Sequence, residues 1–377
     1  MFIPFNKVFI NSESLNYLKD ALKNEYLAGD GIYTKKCESY LENKFRATRA
    51  LLSPSCTASL EMSAILSEIK FGDEIIIPSY TFTSVANAFI LRGAVIRFVD
   101  IEPNTLSIDL EKIESAISPK TKCIVTVHYA GVSCDMDKLI AISKKYKILL
   151  IEDAAHAICS KYRDKYLGTL GDFGCFSFHQ TKNISAGEGG AIILNKKIYI
   201  NRAEIIREKG TNRKDFSKNK TDKYSWLDVG SSYLPSELQA AFLYSQLIKC
   251  EEICFKRSVI WHKYQKAFED LELRGILERN KIPKYNNGNS HIYYFLLNDK
   301  YTRDEFIRKM NNKKIQCTTH YEPLHLSLFG KKYYKKEDLS ITENIHNRLV
   351  RMPLWIGLEK FQDYIIENAL KILEDIK

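Results

Sequence analysis

The 377-residue sequence predicts an α/β protein with a large domain, a mostly parallel sheet between helices, followed by a smaller C-terminal α+β domain. Three observations carry this prediction. From about residue 45 to 200, short β-branched apolar runs alternate with longer segments of helical period, the pattern of parallel strands covered on both faces. A long helical stretch, 235–268, ends where the composition turns polar. The chain is also too long for a single small core, so two units are the natural expectation, 1–250 with the N-terminal segment included and 251–377.

In chain order, the expected strands are 74–78, 95–99, 123–128, 148–152, 175–178 and 191–194, each close to continuous Ile, Val, Leu and Phe as two-sided burial demands. Helices are expected at 58–69, 85–91 and 136–145 between them. Within 235–268 the apolar residues Leu238, Ala241, Phe242 and Leu247 mark a buried stripe. The Asn- and Pro-containing stretch 280–289 reads as a loop, and 291–297 as a strand of the smaller domain.

Composition narrows the function. No apolar run approaches the roughly 18 to 20 residues of a membrane span, and the N-terminus lacks the features of a secretion signal, so a cytoplasmic protein with no membrane partner is expected. Nine cysteines are scattered with no CxxC pair and no Cys/His cluster, so reduced thiols and no metal are expected. The net charge of +10 comes from lysines interleaved with acids, as in Lys335-Lys336-Glu337-Asp338, and does not point to nucleic acid. It does suit small anionic substrates.

Three blocks carry chemistry. In Ile151-Glu152-Asp153-Ala154-Ala155-His156 an acid follows a buried strand at its carboxyl end, where open α/β sheets place ligands. Asp153 is thereby aimed at a crevice, where a carboxylate can keep a pyridine-type nitrogen protonated; a helix cap is the plainer reading. The second block is Cys175-Phe176-Ser177-Phe178-His179-Gln180-Thr181-Lys182, followed by Ala186-Gly187-Glu188-Gly189-Gly190. A lysine so placed can condense with an aldehyde and then shuttle protons, although most lysines are solvated surface groups. The third is Ser53-Pro54-Ser55-Cys56-Thr57-Ala58-Ser59-Leu60, small and hydroxyl residues opening a helix whose free N–H groups can hold a phosphate. An ordinary N-cap is its alternative, and Ser177 could add a hydroxyl from the neighbouring strand end.

These blocks, in this order, resemble the DegT-type family of sugar aminotransferases, which belong to the pyridoxal-phosphate (PLP) dependent fold type I, the aspartate aminotransferase-like fold. The resemblance covers nearly the whole chain. It implies pyridoxal 5'-phosphate as cofactor, Lys182 as the residue that holds it, Asp153 on the ring nitrogen, His156 near the ring hydroxyl and Phe82 on the ring face. Thr57, Ala58 and Ser177 match the family's phosphate-binding positions. It further implies a homodimer with shared active sites, in which the segment around Ser232 reaches the partner's cofactor. Many members have an Asn and an Arg in that G-x-N-x-R segment. Here Ser232 and Leu234 stand in their place, so any such contact is neutral.

Longer words point further. Cys56–Met62, Val127–Gly131, Arg207–Arg213 and Gly230–Leu234 resemble the branch of the family that aminates TDP-4-oxo-6-deoxy-D-glucose. That branch uses L-glutamate and forms TDP-4-amino-4,6-dideoxy-D-galactose and 2-oxoglutarate for surface polysaccharide. It suggests His320, Tyr321 and His325 as contacts of the nucleotide-linked keto sugar. His128 and His179 are additional candidates at strand ends, equally readable as partners of buried backbone groups. The alternatives are another keto sugar, such as a 3-keto isomer, a 4-amino gluco product or a UDP-linked substrate. A PLP-dependent sugar dehydratase is opposed by Lys182, because there the resemblance places a histidine. A non-catalytic PLP-binding regulator is opposed by the intact lysine and aspartate.

Overall fold

A computed structural model describes residues 2–213 and 225–376. Its central feature is a seven-stranded sheet in the order β1-β9-β8-β5-β4-β2-β3. The strands are β1 (Arg49–Ser53), β2 (Glu74–Pro78), β3 (Val95–Val99), β4 (Thr121–Val127), β5 (Leu149–Asp153), β8 (Phe173–Ser177) and β9 (Gly190–Leu194). Two short hairpin strands, β6 (Lys161–Tyr162) and β7 (Lys165–Tyr166), lie between β5 and β8. All pairs from β8 to β3 are parallel, and only β9 runs against its neighbours β8 and β1.

Strand side chains alternate between two cores. Ile76, Ile124 and Leu150 pack on one face, and Ile75, Ile77, Val125 and Ile151 on the other. Both faces of the sheet are therefore dry, which is why these strands are apolar at consecutive positions. The strands expected at 74–78 and 95–99 have those bounds, and the others differ by one to two residues. β1 was not foreseen. Its five residues are too few to show a period, and it borders the helix opener that follows.

The second unit contains a three-stranded antiparallel sheet of β10 (Glu278–Arg279), β12 (Tyr293–Leu296) and β13 (Leu349–Met352). Helices Cys250–Ala267, Lys300–Asn312 and Gln362–Asp375 contribute to its core through Ile260, Phe306 and Ile365. A further short strand, β11 (Asn286–Asn287), crosses back to pair with β6. Residues 3–5, grouped with the first domain by the sequence, hydrogen-bond here: Ile3 pairs around Ile315, and Trp355 Nε1 donates to the Pro4 carbonyl at 2.9 Å.

The single helical stretch expected over 235–268 is two helices, Glu237–Leu247 and Cys250–Ala267. No Gly or Pro marks the break. The first helix opens on a capping box, with Ser236 and Gln239 each bonding the other's backbone N–H. The second carries Ile253 in the large core and Ile260 in the small one, so it links the two. Among the described residues no helix is long and apolar enough to cross a membrane.

Candidate active site

The three chemical blocks converge at the carboxyl ends of the parallel strands. A cavity of about 680 Å³ opens there, lined by Thr57, Phe82, Asp153, His156, Ser177, His179, Lys182, His320 and Tyr321 among others. The cavity receives these groups because successive parallel strands all end on the same edge of the sheet.

Lys182 sits in the loop joining β8 to β9. The loop is closed at its base, where Ser177 pairs with Gly190, and is cross-braced by Phe178 N–H to the Gly189 carbonyl and Ala186 N–H to the Phe178 carbonyl, both at 2.8 Å. Burial lowers the Lys182 ammonium to about 8, against the opposing pull of the Asp153 charge. Its amine has no hydrogen-bond or ion-pair partner among the described residues. Asp153, at the end of β5, is also buried, and desolvation raises its carboxyl above the ordinary range while the Ala155 N–H, 2.9 Å away, and Lys182 oppose that. The two groups are near enough to bias each other without being consumed in a salt bridge.

The helix Cys56–Leu66 starts at the cavity wall. Ser55 Oγ caps it by accepting from Ala58 N–H at 3.1 Å, and the Ser59 N–H bonds the Ser55 carbonyl. The N–H groups there without a partner among the described residues are those of Cys56 and Thr57. Ala58, expected at the phosphate, lies buried behind the helix start with its N–H donating to Ser55 Oγ. Gly190 of β9 passes directly beneath. A Cβ there would come within 2.3 Å of the Ser55 carbonyl carbon and 2.5 Å of Cys56 N, so only glycine lets the lysine loop and the helix start approach this closely.

Phe82 precedes the helix Thr83–Ile90 and leaves 58% of its surface exposed at the cavity, with the Tyr321 ring tilted toward it at 6.3 Å between centres. His156 accepts from Ala130 N–H on Nδ1 at 3.3 Å and contacts Tyr321 OH through Nε2 at 3.2 Å. His320 lies against the Arg351 guanidinium, and burial with that charge lowers its imidazole to about 2. His179 also lines the cavity and bonds Thr181 Oγ1 at 2.8 Å.

Two other expectations do not reach the cavity. His325 is buried with both ring nitrogens engaged, Nδ1 with Ser79 Oγ at 2.7 Å and Nε2 with Glu343 at 3.1 Å, so it ties the small unit to β2 rather than facing substrate. Ser232 is exposed and lines a separate cavity of about 390 Å³ with Lys209, Arg213 and Leu234. His128 is likewise engaged within the protein, its Nε2–H donating to the Glu152 carboxylate at 2.9 Å beneath the site.

Sequence reasoning missed Arg257, His291 and Arg351, all buried at the cavity. Arg257 Nη2 donates to the His291 carbonyl at 2.8 Å, and neither arginine has a carboxylate partner among the described residues. Arg351 had one legible signal, a charge inside the otherwise apolar strand Leu349–Met352. Arg257 and His291 had none.

The sequence pattern of the DegT/DnrJ/EryC1/StrS aminotransferase family matches residues 9–370. The chain belongs to that family. A protein of Methanocaldococcus jannaschii, MJ1066, is 34% identical over 98% of this chain and 97% of its own length. The spore coat polysaccharide biosynthesis protein SpsC of Bacillus subtilis is 29% identical over 100% and 97%. Among solved structures, Spr1654 of Streptococcus pneumoniae in its PMP form superposes with a TM-score of 0.93 over the whole of both chains, at 24% identity. The fold is that of the PLP-dependent fold type I enzymes, and the chain is a PLP-dependent aminotransferase.

The residues present fit PLP. A half-buried amine with no hydrogen-bond partner among the described residues, two N–H groups at a helix start without one, a largely exposed aromatic ring and a carboxylate held by one backbone N–H and a long thiol contact all face one cavity.

Proposed function

We propose that the chain transfers the amino group of L-glutamate to C4 of TDP-4-oxo-6-deoxy-D-glucose. The products would be TDP-4-amino-4,6-dideoxy-D-galactose and 2-oxoglutarate, for surface polysaccharide synthesis. Lys182 carries this reading: its amine is half-buried at the cavity, has no hydrogen-bond or ion-pair partner among the described residues and is lowered to about 8, which leaves a useful fraction uncharged near neutral pH. Bound PLP supplies an aldehyde that takes up the amine and a ring that stores the electron pair when a proton leaves the attached carbon.

The chain's own groups do the rest. Lys182 holds the cofactor, and once released it takes the proton from the amino donor's α-carbon and later delivers one to the sugar's C4. Delivery from one fixed side sets the stereochemistry of the new amine. Asp153 holds the ring nitrogen's proton, and burial strengthens that interaction by removing competing water. Phe82 offers its exposed face to the ring, His156 its Nε2 to the ring hydroxyl, and Thr57, Ser177 and the helix start take the phosphate. His320 and Tyr321 stand where the sugar enters.

The substrate class is supported by the name of the polysaccharide-pathway relative from Bacillus subtilis and by the words shared with the 4-amino-galactose branch. Ser232 is assigned to the partner's site in a homodimer, which explains its position outside the cavity of its own chain. The purified protein is to be incubated with TDP-4-oxo-6-deoxyglucose, L-glutamate and PLP, and the configuration at C4 read by NMR. A galacto 4-amine is expected. A 3-amino or gluco product would replace the substrate assignment and leave the cofactor chemistry intact.

A further inference from the structure

Two imidazoles, His156 and His291, lie side by side at the cavity with ring centres 4.5 Å apart. Their hydrogen bonds fix them in opposite tautomers. His156 Nδ1 receives the Ala130 backbone N–H at 3.3 Å, so its proton sits on Nε2, toward Tyr321 OH. His291 Nδ1 faces Asn183 Oδ1 at 2.8 Å. The Asn183 amide cannot turn over without loss, because its Nδ2 donates to the Asn289 carbonyl at 2.9 Å. Its oxygen therefore meets His291, whose proton must be on Nδ1. The Nε2 of His291 is left with a lone pair and no partner among the described residues. Burial, followed by the charges of Lys182 and its neighbours, holds both imidazoles well below their usual range, so neither is a cation near neutral pH.

We propose that His291 Nε2 is a fixed hydrogen-bond acceptor that takes a hydroxyl of the sugar substrate, and that Asn183 sets it in that role. The surroundings select the ligand. A carboxylate oxygen brings no proton to a lone pair. An ammonium group brings one, but here it would sit beside Arg257, which bonds the His291 carbonyl, and near Arg351, two guanidiniums with no acid partner among the described residues. A neutral O–H is the donor that remains, and a keto sugar is rich in them. Asn183 follows Lys182 in the chain, so the residue that moves the proton and the residue that tunes this acceptor belong to one rigid turn.

The inference rests on the sugar substrate proposed above, and two measurements separate its failure from the failure of that reading. The first is the ring-nitrogen correlation spectrum of PLP-loaded enzyme labelled with ¹⁵N-histidine, near neutral pH. It should show His291 as the Nδ1–H form, with the signal moving toward a mixture of tautomers in Asn183→Ala. An Nε2–H His291 overturns the inference whatever the substrate is. The second is kinetic. His291→Leu should raise the KM for the keto sugar roughly 10- to 100-fold, the loss expected when one hydrogen bond to a buried group is removed. His291→Gln, whose side-chain carbonyl can accept, should recover part of it. The KM for glutamate should rise less than that for the sugar. An equal or larger rise for glutamate, or an unchanged sugar KM in both variants, also overturns the inference. Wild-type enzyme that consumes glutamate and aminates no sugar nucleotide defeats the functional reading, and the hydroxyl assignment with it, while the tautomer result stands.

Discussion

Glu152 and Asp153 are consecutive residues of one strand, and they have opposite surroundings. Glu152 accepts from the N–H groups of Gly168, Leu170 and Gly171 at 2.6 to 2.7 Å and is met by His128 at 2.9 Å. Every lone pair it has is used. Asp153, on the other side of the strand, takes one backbone N–H and a long Cys56 thiol contact, both on Oδ1, and lines the cavity near Lys182. The same difference separates the histidines: His325 is saturated from within the protein, whereas His291 keeps one nitrogen open. A buried polar group whose bonds are all supplied internally holds the fold, and one left short is available to a ligand.

The contrast can be broken by substitution. The largest effect belongs to the amine that the unsaturated side serves: Lys182→Ala should reduce transamination by at least about 10⁴-fold and abolish the visible absorbance of covalently held cofactor. Persistence of both would end the account. Next, Asp153→Asn should cut kcat by roughly 10²- to 10³-fold with little change in melting temperature. Glu152→Gln should cost about 2 to 4 kcal/mol of stability, by thermal or denaturant unfolding, because its amide nitrogen would face donors. If the two variants exchange phenotypes, the division between holding and reacting is wrong.

A smaller effect sharpens the Lys182 side. With its ammonium lowered to about 8, the uncharged fraction rises about tenfold between pH 7 and pH 9, and the rate of PLP capture by cofactor-free protein should rise with it. The folded state loses this proton near 8 and the unfolded chain near 10.5, so burying the ammonium costs stability below about 8 and the cost fades as pH climbs to 10.5. That cost is at most about 3.4 kcal/mol. Lys182→Met should flatten the stability gain over this interval, and an unchanged slope would show that the amine is not desolvated. The smallest effect is expected for His325→Ala, which should lower the melting temperature while changing the sugar-nucleotide KM by less than about twofold.

What the sequence made legible was local. Ile75, Ile76 and Ile77 announce β2 because a strand buried on both faces has no polar position to alternate with. Asp153 and Lys182 could be found because each sits in a short run whose neighbours show its setting. Arg257, His291 and Arg351 reach the cavity from a helix, a loop and a strand of the second unit, and no spacing in the chain encodes that meeting. His325 was misread for the converse reason. Its proximity in sequence to His320 and Tyr321 suggested a shared task, but the chain turns between them and delivers it to Ser79. The break at Lys249 was hidden because the residues around it all tolerate helix and the apolar stripe runs on past it.

The loop that bears Lys182 is a closed hairpin, its ends paired as Ser177 with Gly190 and its interior tied crosswise. An enzyme of this kind must recover its starting state after every cycle, with the amine finding the same carbon again. A tethered backbone leaves only the side chain's own rotations to search. Resetting is then a matter of bond rotation rather than of segmental rearrangement, and the catalyst is ready for the next molecule as soon as the last has left.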